Sequence, residues 1–379
     1  MPKSIIIIGA GIAGLSAGCF GQMNGYQTQI FELHDLPGGL CTAWKRKGYT
    51  IDGCIHWLMG TNPTSDLNTL WRQLGALPGQ GVINHEEFER VQDADGKTLI
   101  VYADADRLEA QMKELAPGDA AAIEEFTKTI RRFSRTSMIA DKPRELMGPI
   151  DGLKSGLKML PYLGDFKRGI STTAGEYALR FKDPFLRRVF LLIYGAADLP
   201  MIVYFMFLGS LHAQDSGVPR GGSLAFAQAI ERRYRNLGGQ IHYRARVAKI
   251  LVEDDPAGGP RRGGSHAVGV RLVDGREFRA DYVISAADGH STLWNMLDGK
   301  FLTDQFRALY AKRRIFSPVV QVSLGVACDL SATPHAGTIM LKEPVTIAGK
   351  ARESIGYRHL SYDPSMVYAA EVNGGGRPR

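Results

Sequence analysis

With 379 residues, 44% of them hydrophobic, the chain is long enough to bury a large core and to form about two domains at roughly 150 residues each. Its 46 basic residues outnumber 39 acidic ones, a net charge of +7, but the excess is spread and lacks an aromatic-interleaved basic stripe, so nucleic acid is excluded as the expected partner. Four cysteines (Cys19, Cys41, Cys54, Cys328) in no CxxC or metal-ligand spacing, nine scattered histidines and no leader ahead of the first apolar run set the expectation of a metal-free, reduced protein of the cytoplasm.

The chain opens on Ser4-Ile5-Ile6-Ile7-Ile8-Gly9-Ala10-Gly11-Ile12-Ala13-Gly14, which predicts a buried strand, a tight turn and a helix. Gly9 suits the turn, Gly11 lets the backbone approach a pyrophosphate, and Gly14 lets helix and strand pack closely. The helix N-terminus, with its unpaired amides and positive dipole end, favours phosphate. A second apolar run, Thr28 to Phe31, ends at Glu32, eighteen residues past Gly14, where a carboxylate can accept both hydroxyls of a ribose. Strand, turn, helix, second strand and acid in this order predict a dinucleotide site, with Gly9, Gly11, Ala13 and Gly14 at the pyrophosphate.

Further on, Asp95-Gly96 predicts the turn of a hairpin joining Phe88–Val91 to Leu99–Tyr102. From Asp104 to His212 the pattern is helical. Pro117-Gly118-Asp119 opens a helix whose Ile123, Phe126, Ile130 and Phe133 share one face. Val189 to Gln214 is almost wholly apolar, with Asp198 its only charge; the uncharged part is sixteen residues and includes Pro200, short of the about twenty that a spanning helix needs. A buried helix lining a lipophilic cavity, plain core, or membrane insertion would each account for it. Just before it, residues 151–188 hold eight basic against four acidic side chains, a face that is either simply solvated or suited to peripheral docking on anionic lipid.

Pro219-Arg220-Gly221-Gly222-Ser223 then predicts a helix from Leu224 to Leu237, capped by Ser223 and stopped by Gly238-Gly239. Strands are predicted at Ile241–Tyr243, Val247–Val252, Ala267–Leu272 and Tyr282–Asp288, a meander returning to the first sheet. The glycine-rich stretch from Ala257 to Gly264 has no helix after it and reads as a hairpin loop, not a second phosphate cradle. Since no other GxGxxG follows a strand, a separate nicotinamide domain is not expected.

Leu36-Pro37-Gly38-Gly39-Leu40, after the ribose acid, resembles the extended motif of FAD oxidoreductases related to amine oxidases and phytoene desaturases. Together with Gly217 to Gly222, Val247, Gly269-Val270, Asp274-Gly275 and Val283 to Asp288, the likeness to the phytoene desaturase and carotenoid isomerase group covers about residues 4 to 300. The resemblance implies FAD, with Gly38, Gly39 and Leu40 beside the cofactor, Val247 at the adenine and Ala286 ending a strand near the dinucleotide. Leu40 stands where many relatives carry Arg. Cys54-Ile55-His56-Trp57 is closest to the retinol saturase branch, with Cys54 in place of glycine, and makes His56 and Trp57 the candidate catalytic pair at the flavin face; a hydrogen-bonded core histidine and simple packing remain open.

The implied fold is α/β: a Rossmann-type FAD-binding domain with an inserted β-meander (1–103 and 215–298) and a discontinuous α+β substrate domain (104–214 and 299–379). The implied function is hydride transfer between the flavin and a lipophilic isoprenoid or polyene, by desaturation, saturation or isomerisation. An amine oxidase is the enzymatic rival, with Tyr204 and Trp57 as its aromatic pair. Relatives continue beyond the polar end Glu371–Arg379, so a truncated reading frame breaking near Met366 is expected, and with it either weak flavin binding or a non-catalytic nucleotide-binding remnant.

Overall fold

The computed structural model describes residues 2–47, 49–77, 81–136, 144–193, 197–254, 264–312, 333–347 and 350–358. The glycine-rich loop other than Gly264, a strand expected at Val319–Val326 and the C-terminal tail lie outside these residues. The chain divides into two compact units: residues 1–55, 71–81 and 221–326 form the first, and residues 56–70, 82–220 and 327–379 the second.

The first unit is built on a parallel sheet in the order Gln240–His242, Gln27–Phe31, Ser4–Ile8, Tyr282–Ser285. Ser4–Ile8 is central, and its run of β-branched residues fits a strand covered on both faces: Ile5 to Ile8 are all buried. Alternation assigns the faces. On one side lies helix Ile12–Met23, packed against helix Gly222–Asn236. The two helices approach closely because Gly18 has no side chain; a Cβ there would lie 2.7 Å from the Tyr234 ring. Tyr234 is fully buried, and its hydroxyl donates to the Thr28 carbonyl at 2.9 Å, which satisfies the one polar atom the ring brings inside. On the other side Ile6, Ile8 and Phe31 meet Val247, Val270 and Leu272 of an antiparallel meander formed by Val247–Asp254, Ser265–Leu272 and Glu277–Arg279.

Helix Gly222–Asn236 differs from expectation at its start. Its N-cap is Gly221, held at φ +89°, a left-handed conformation that glycine adopts without strain. Ser223 therefore lies in the first turn and its side chain is used elsewhere.

The second unit is mainly helical. Hairpin Glu87–Gln92 and Thr98–Tyr102 turns at Asp93, whose carboxylate accepts the amides of Asp95 and Lys97. Its first strand also pairs in parallel with Ala336–Ile347, and this long-range pairing groups the hairpin with the second unit, whereas the sequence division kept residues up to 103 with the first. Helix Ala120–Phe133 buries Ile123, Phe126, Ile130 and Phe133, as their spacing predicts, against helix Met201–His212. The long apolar run is broken into two helices, Pro184–Leu192 and Met201–His212. Pro200 explains the second start, because it cannot donate within a helix and holds the preceding residue extended. Met201, Tyr204, Phe205, Phe207, Leu208 and Leu211 are buried in the core, and Leu211 also lines a cavity. Among the described residues no helix is long and apolar enough to cross a membrane.

Candidate functional site

The turn after the first strand is a cradle of backbone. Gly9 sits at φ +97° and its N–H donates to the Phe31 carbonyl at 2.8 Å. Gly11 caps the helix in an extended conformation, with no side-chain cap and no acid in the first turn, so the first amides are left to an external acceptor. Ala13 is exposed on this turn. Gly14 is fixed by contact: a Cβ would lie 1.9 Å from the Gly9 carbonyl oxygen and 3.3 Å from the Ala286 Cβ. The second glycine pair meets the first. Gly38 donates to the Ala10 carbonyl at 2.9 Å and bridges to Gly11, while a Cβ on Gly39 would lie 3.3 Å from the Gly11 Cα. Leu40, by contrast, is 94% exposed and brings neither charge nor packing to the turn.

Glu32 is buried, with one carboxylate oxygen accepting the Ala10 amide at 2.6 Å and the other the His34 amide at 2.8 Å. These bonds offset the cost of burying its charge. A carboxylate has about four acceptor sites, so two remain for vicinal hydroxyls. Ala286 donates to the Ile8 carbonyl at 2.9 Å and its own carbonyl lies 3.5 Å from where a Gly9 Cβ would be, which makes it the wall behind the turn. Val247 is buried at the start of its strand. Gly9, Gly11, Gly14, Gly38, Gly39 and Glu32 thus converge, and a cradle that any Cβ would fill, backed by an anchored acid, fits the pyrophosphate and ribose of an adenine dinucleotide.

Sequence reading missed a polar node beside this cradle. The Asp52 carboxylate accepts the Ser223 amide and hydroxyl, each at 2.6 Å, and the Cys54 amide at 3.1 Å. Ser223 Oγ in turn accepts the Ile55 amide at 2.9 Å, and its carbonyl accepts from Cys41 Sγ at 3.4 Å. A serine after Gly-Gly reads as a cap, and only the left-handed Gly221 shows that the helix starts earlier.

His56 and Trp57 belong to the second unit and line a cavity of about 130 Å³. Trp57 packs on Phe207 (centroids 4.6 Å apart) and Phe88 (5.7 Å), and lies 6.3 Å from the His56 ring. Polar side chains share the other walls with Phe88, Leu211 and Val218. His85 stacks on His335 at 3.9 Å, Arg107 pairs with Glu86 at 2.9 Å, and His212 Nδ1 accepts the Ala105 amide at 3.2 Å beside Asp104. Strand ends and loops distant in sequence contribute its histidines and acids. Tyr204 is no partner of Trp57 in an aromatic pair: it is fully buried, stacks on Phe190 at 5.1 Å and donates its hydroxyl to the Phe190 carbonyl at 3.0 Å. Among the described residues no group of three His, Cys, Asp or Glu could hold a metal ion.

The basic stretch of this unit is partly neutralised. Arg168 and Arg180 both pair with Glu125, and Arg132 and Arg168 both pair with the buried Asp165. Helix Pro149–Met159 instead presents an exposed apolar stripe: Ile150, Leu153 and Leu157, continued by Leu160, are 56 to 70% exposed and recur at helical spacing.

The family profile described as flavin containing amine oxidoreductase matches residues 12–328. The chain is 30% identical over 302 residues to a lycopene-forming phytoene desaturase of Paracoccus sp., covering 76% of this chain and 55% of that protein. It is 28% identical over 326 residues to a lycopene-forming phytoene desaturase of Pseudescherichia vulneris (83% and 61% covered), and 26% identical over 337 residues to a chloroplastic prolycopene isomerase of an Oncidium hybrid cultivar (85% and 54%). It therefore spans only 54 to 61% of the length of these relatives. Among solved structures, a protein of Pyrococcus furiosus aligns with TM-score 0.52 at 16% identity, covering 96% of this chain and 76% of that one. A putrescine oxidase redesigned in its cofactor site aligns with TM-score 0.51 at 14% identity, covering 82% and 63%. Both share the fold.

Proposed function

The chain belongs to the flavin-containing amine oxidoreductase family, and on that premise we propose that it acts as an FAD-dependent oxidoreductase on a long lipophilic isoprenoid or polyene. The observation that carries the reading is the interlocked pair of glycine turns with Glu32 anchored on the Ala10 amide. In this reading Gly9, Gly11, Ala13 and Gly14 hold the pyrophosphate, Glu32 the adenosine ribose, Gly38 to Leu40 the approach to the flavin, and Val247 the adenine. The flavin, when bound, supplies the redox chemistry by taking or giving a hydride. The protein binds, orients and excludes water. His56 and Trp57 are assigned to orienting substrate, Trp57 through its aromatic face. Support for a polyene comes from the names of the relatives, two lycopene-forming desaturases and an isomerase.

Access to such a substrate would come from the membrane. We assign the stripe of Ile150, Leu153, Leu157 and Leu160, with Lys154 on the same helix, to peripheral docking on the anionic cytoplasmic leaflet. A second reading, oxidation of an amine, is favoured by the Asp104 carboxylate at the cavity lined by His56 and Trp57, which suits a cationic substrate. Anaerobic reduction of the FAD-loaded chain separates the two. Bleaching of the flavin by a polyene supports the first reading, bleaching by diamines alone replaces it with the second, and a folded chain that takes up no flavin overturns both.

A further inference from the structure

Two cysteines that are thirteen positions apart in the sequence meet at the open end of a hairpin. Strands Ala43–Arg46 and Tyr49–Asp52 pair antiparallel, with Ala43 opposite Asp52. Two residues outward on each side, on the same face, stand Cys41 and Cys54. Both are free thiols, and both residues are held on the Asp52–Ser223 node. Cys41 is buried with Sγ against the Ser223 carbonyl at 3.4 Å, whereas Cys54 is exposed and held by its amide on Asp52.

We propose that Cys41 and Cys54 are a redox modification site, converted by peroxides into an intramolecular disulfide that reductants reopen. The roles of the two sulfurs differ. The neighbouring Cys41 thiol, as a donor, stabilises the Cys54 thiolate and draws its pKa down to about 7, against the opposing effects of burial and the Asp52 charge. Cys41 is pushed up by the neighbouring Cys54 and by burial, so it stays protonated. The accessible, partly ionised Cys54 is therefore the attacking sulfur and Cys41 the resolving one. Cys54 Sγ attacks hydrogen peroxide; an S–O bond forms, the O–O bond breaks, and hydroxide leaves to become water. Cys41 sulfur then displaces the second oxygen from the sulfenic acid and gives up its proton, releasing a second water as the S–S bond forms. Two thiols lose two electrons and one peroxide becomes two waters; an external dithiol reverses the change by exchange.

The location gives the modification a consequence. The Cys41 amide donates to the Gly38 carbonyl at 2.9 Å and closes the turn that carries Gly38 and Gly39. A disulfide would tie that turn to the far strand of the hairpin, beside the glycine cradle. Cys19 is a built-in contrast, buried in its helix with its thiol pushed up to about 11 by desolvation. Cys328 lies outside the described residues. The site depends on no flavin and stands whether or not the flavin reading holds.

The test uses the purified chain without added flavin, treated with equimolar hydrogen peroxide and read by intact mass and a non-reducing peptide map. The expected result is loss of two hydrogens and one crosslinked peptide pair joining Cys41 to Cys54. Cys54→Ser and Cys41→Ser should each abolish the crosslink, Cys41→Ser should leave a sulfenic acid on Cys54 that dimedone traps, and Cys19→Ser should crosslink like the parent. Alkylation of Cys54 by iodoacetamide should rise with pH about a midpoint near 7. Oxidation of Cys54 to sulfinic acid without a crosslink, or a bridge to Cys19 or Cys328, would overturn the proposal.

Discussion

Replacing Gly14 by alanine tests the cradle with one methyl group. The added carbon would lie 1.9 Å from the Gly9 carbonyl oxygen, 3.1 Å from its carbon and 3.3 Å from the Ala286 Cβ. A carbon and a carbonyl oxygen normally keep about 3.3 Å apart, so about 1.4 Å must be recovered. Gly9 cannot supply it, because its amide is held on Phe31 and its φ of +97° already belongs to a tight turn. The helix start must move off the strand instead. Because the backbone itself must move, the overpacking cost falls in the upper part of the usual range, about 2–3 kcal/mol, offset by about 1 kcal/mol of improved helix propensity, which leaves a net loss of about 1–2 kcal/mol. At about 2–4 °C per kcal/mol the melting temperature should fall by about 2–8 °C. FAD affinity should fall further, at least about tenfold, because the amides that face the pyrophosphate move with the helix. Thermal melts and FAD titrations on the same preparations separate the two effects. Gly152→Ala, in a helix with open space around it, is the control and should keep affinity unchanged. A Gly14→Ala chain that binds FAD like the parent and melts no lower would refute the steric account.

Other perturbations have equally definite outcomes. Glu32→Gln keeps an acceptor but loses the charge and turns an NH₂ group toward a backbone amide; stability should drop by about 1.5–3 kcal/mol in urea titrations, and FAD affinity with it. Asp119 is buried with its carboxylate on the amides of Lys182 and Asp183, so Asp119→Ala should cost about 3 kcal/mol or more by the same measurement. Burial raises the carboxyl pKa of Asp215 above its unfolded value. Its native site therefore favours the protonated form, and its contribution, complete in acid, is lost as pH rises through that raised value. Asp215→Asn, which still accepts the Asn62 amide, should flatten the dependence of the urea midpoint between acidic and neutral pH. Leu153→Asp with Leu157→Asp should leave the melting temperature within a degree or so, since both side chains are exposed, and abolish flotation with anionic liposomes; unchanged flotation would remove the docking assignment.

What could be read in the sequence was local. The strand–turn–helix and Glu32 announce themselves because glycines at a tight approach and an acid at the end of the next strand sit at fixed offsets. Ile123, Phe126, Ile130 and Phe133 announce a helix face by spacing alone. Features that depend on pairing between distant segments were not legible. Cys41 and Cys54 face each other only through the register of a hairpin whose turn has no strong signal. Ser223 reads as a cap until Gly221 is seen at φ +89° and Asp52 is found on the serine's amide and hydroxyl. Leu153 and Leu157 have the spacing of a core face, and only packing shows that nothing in the described residues covers them. Pro200 marks the break in the apolar run, and the second helix begins directly after it.

The central claim is that the glycine turns hold FAD. The direct measurement is gel filtration of the purified chain equilibrated with excess FAD, with protein and flavin absorbance followed together and circular dichroism recorded on the protein peak. Flavin eluting with the folded chain, and lost from Gly14→Ala while the dichroism persists, is the expected result. A folded parent chain that elutes free of flavin would contradict the account.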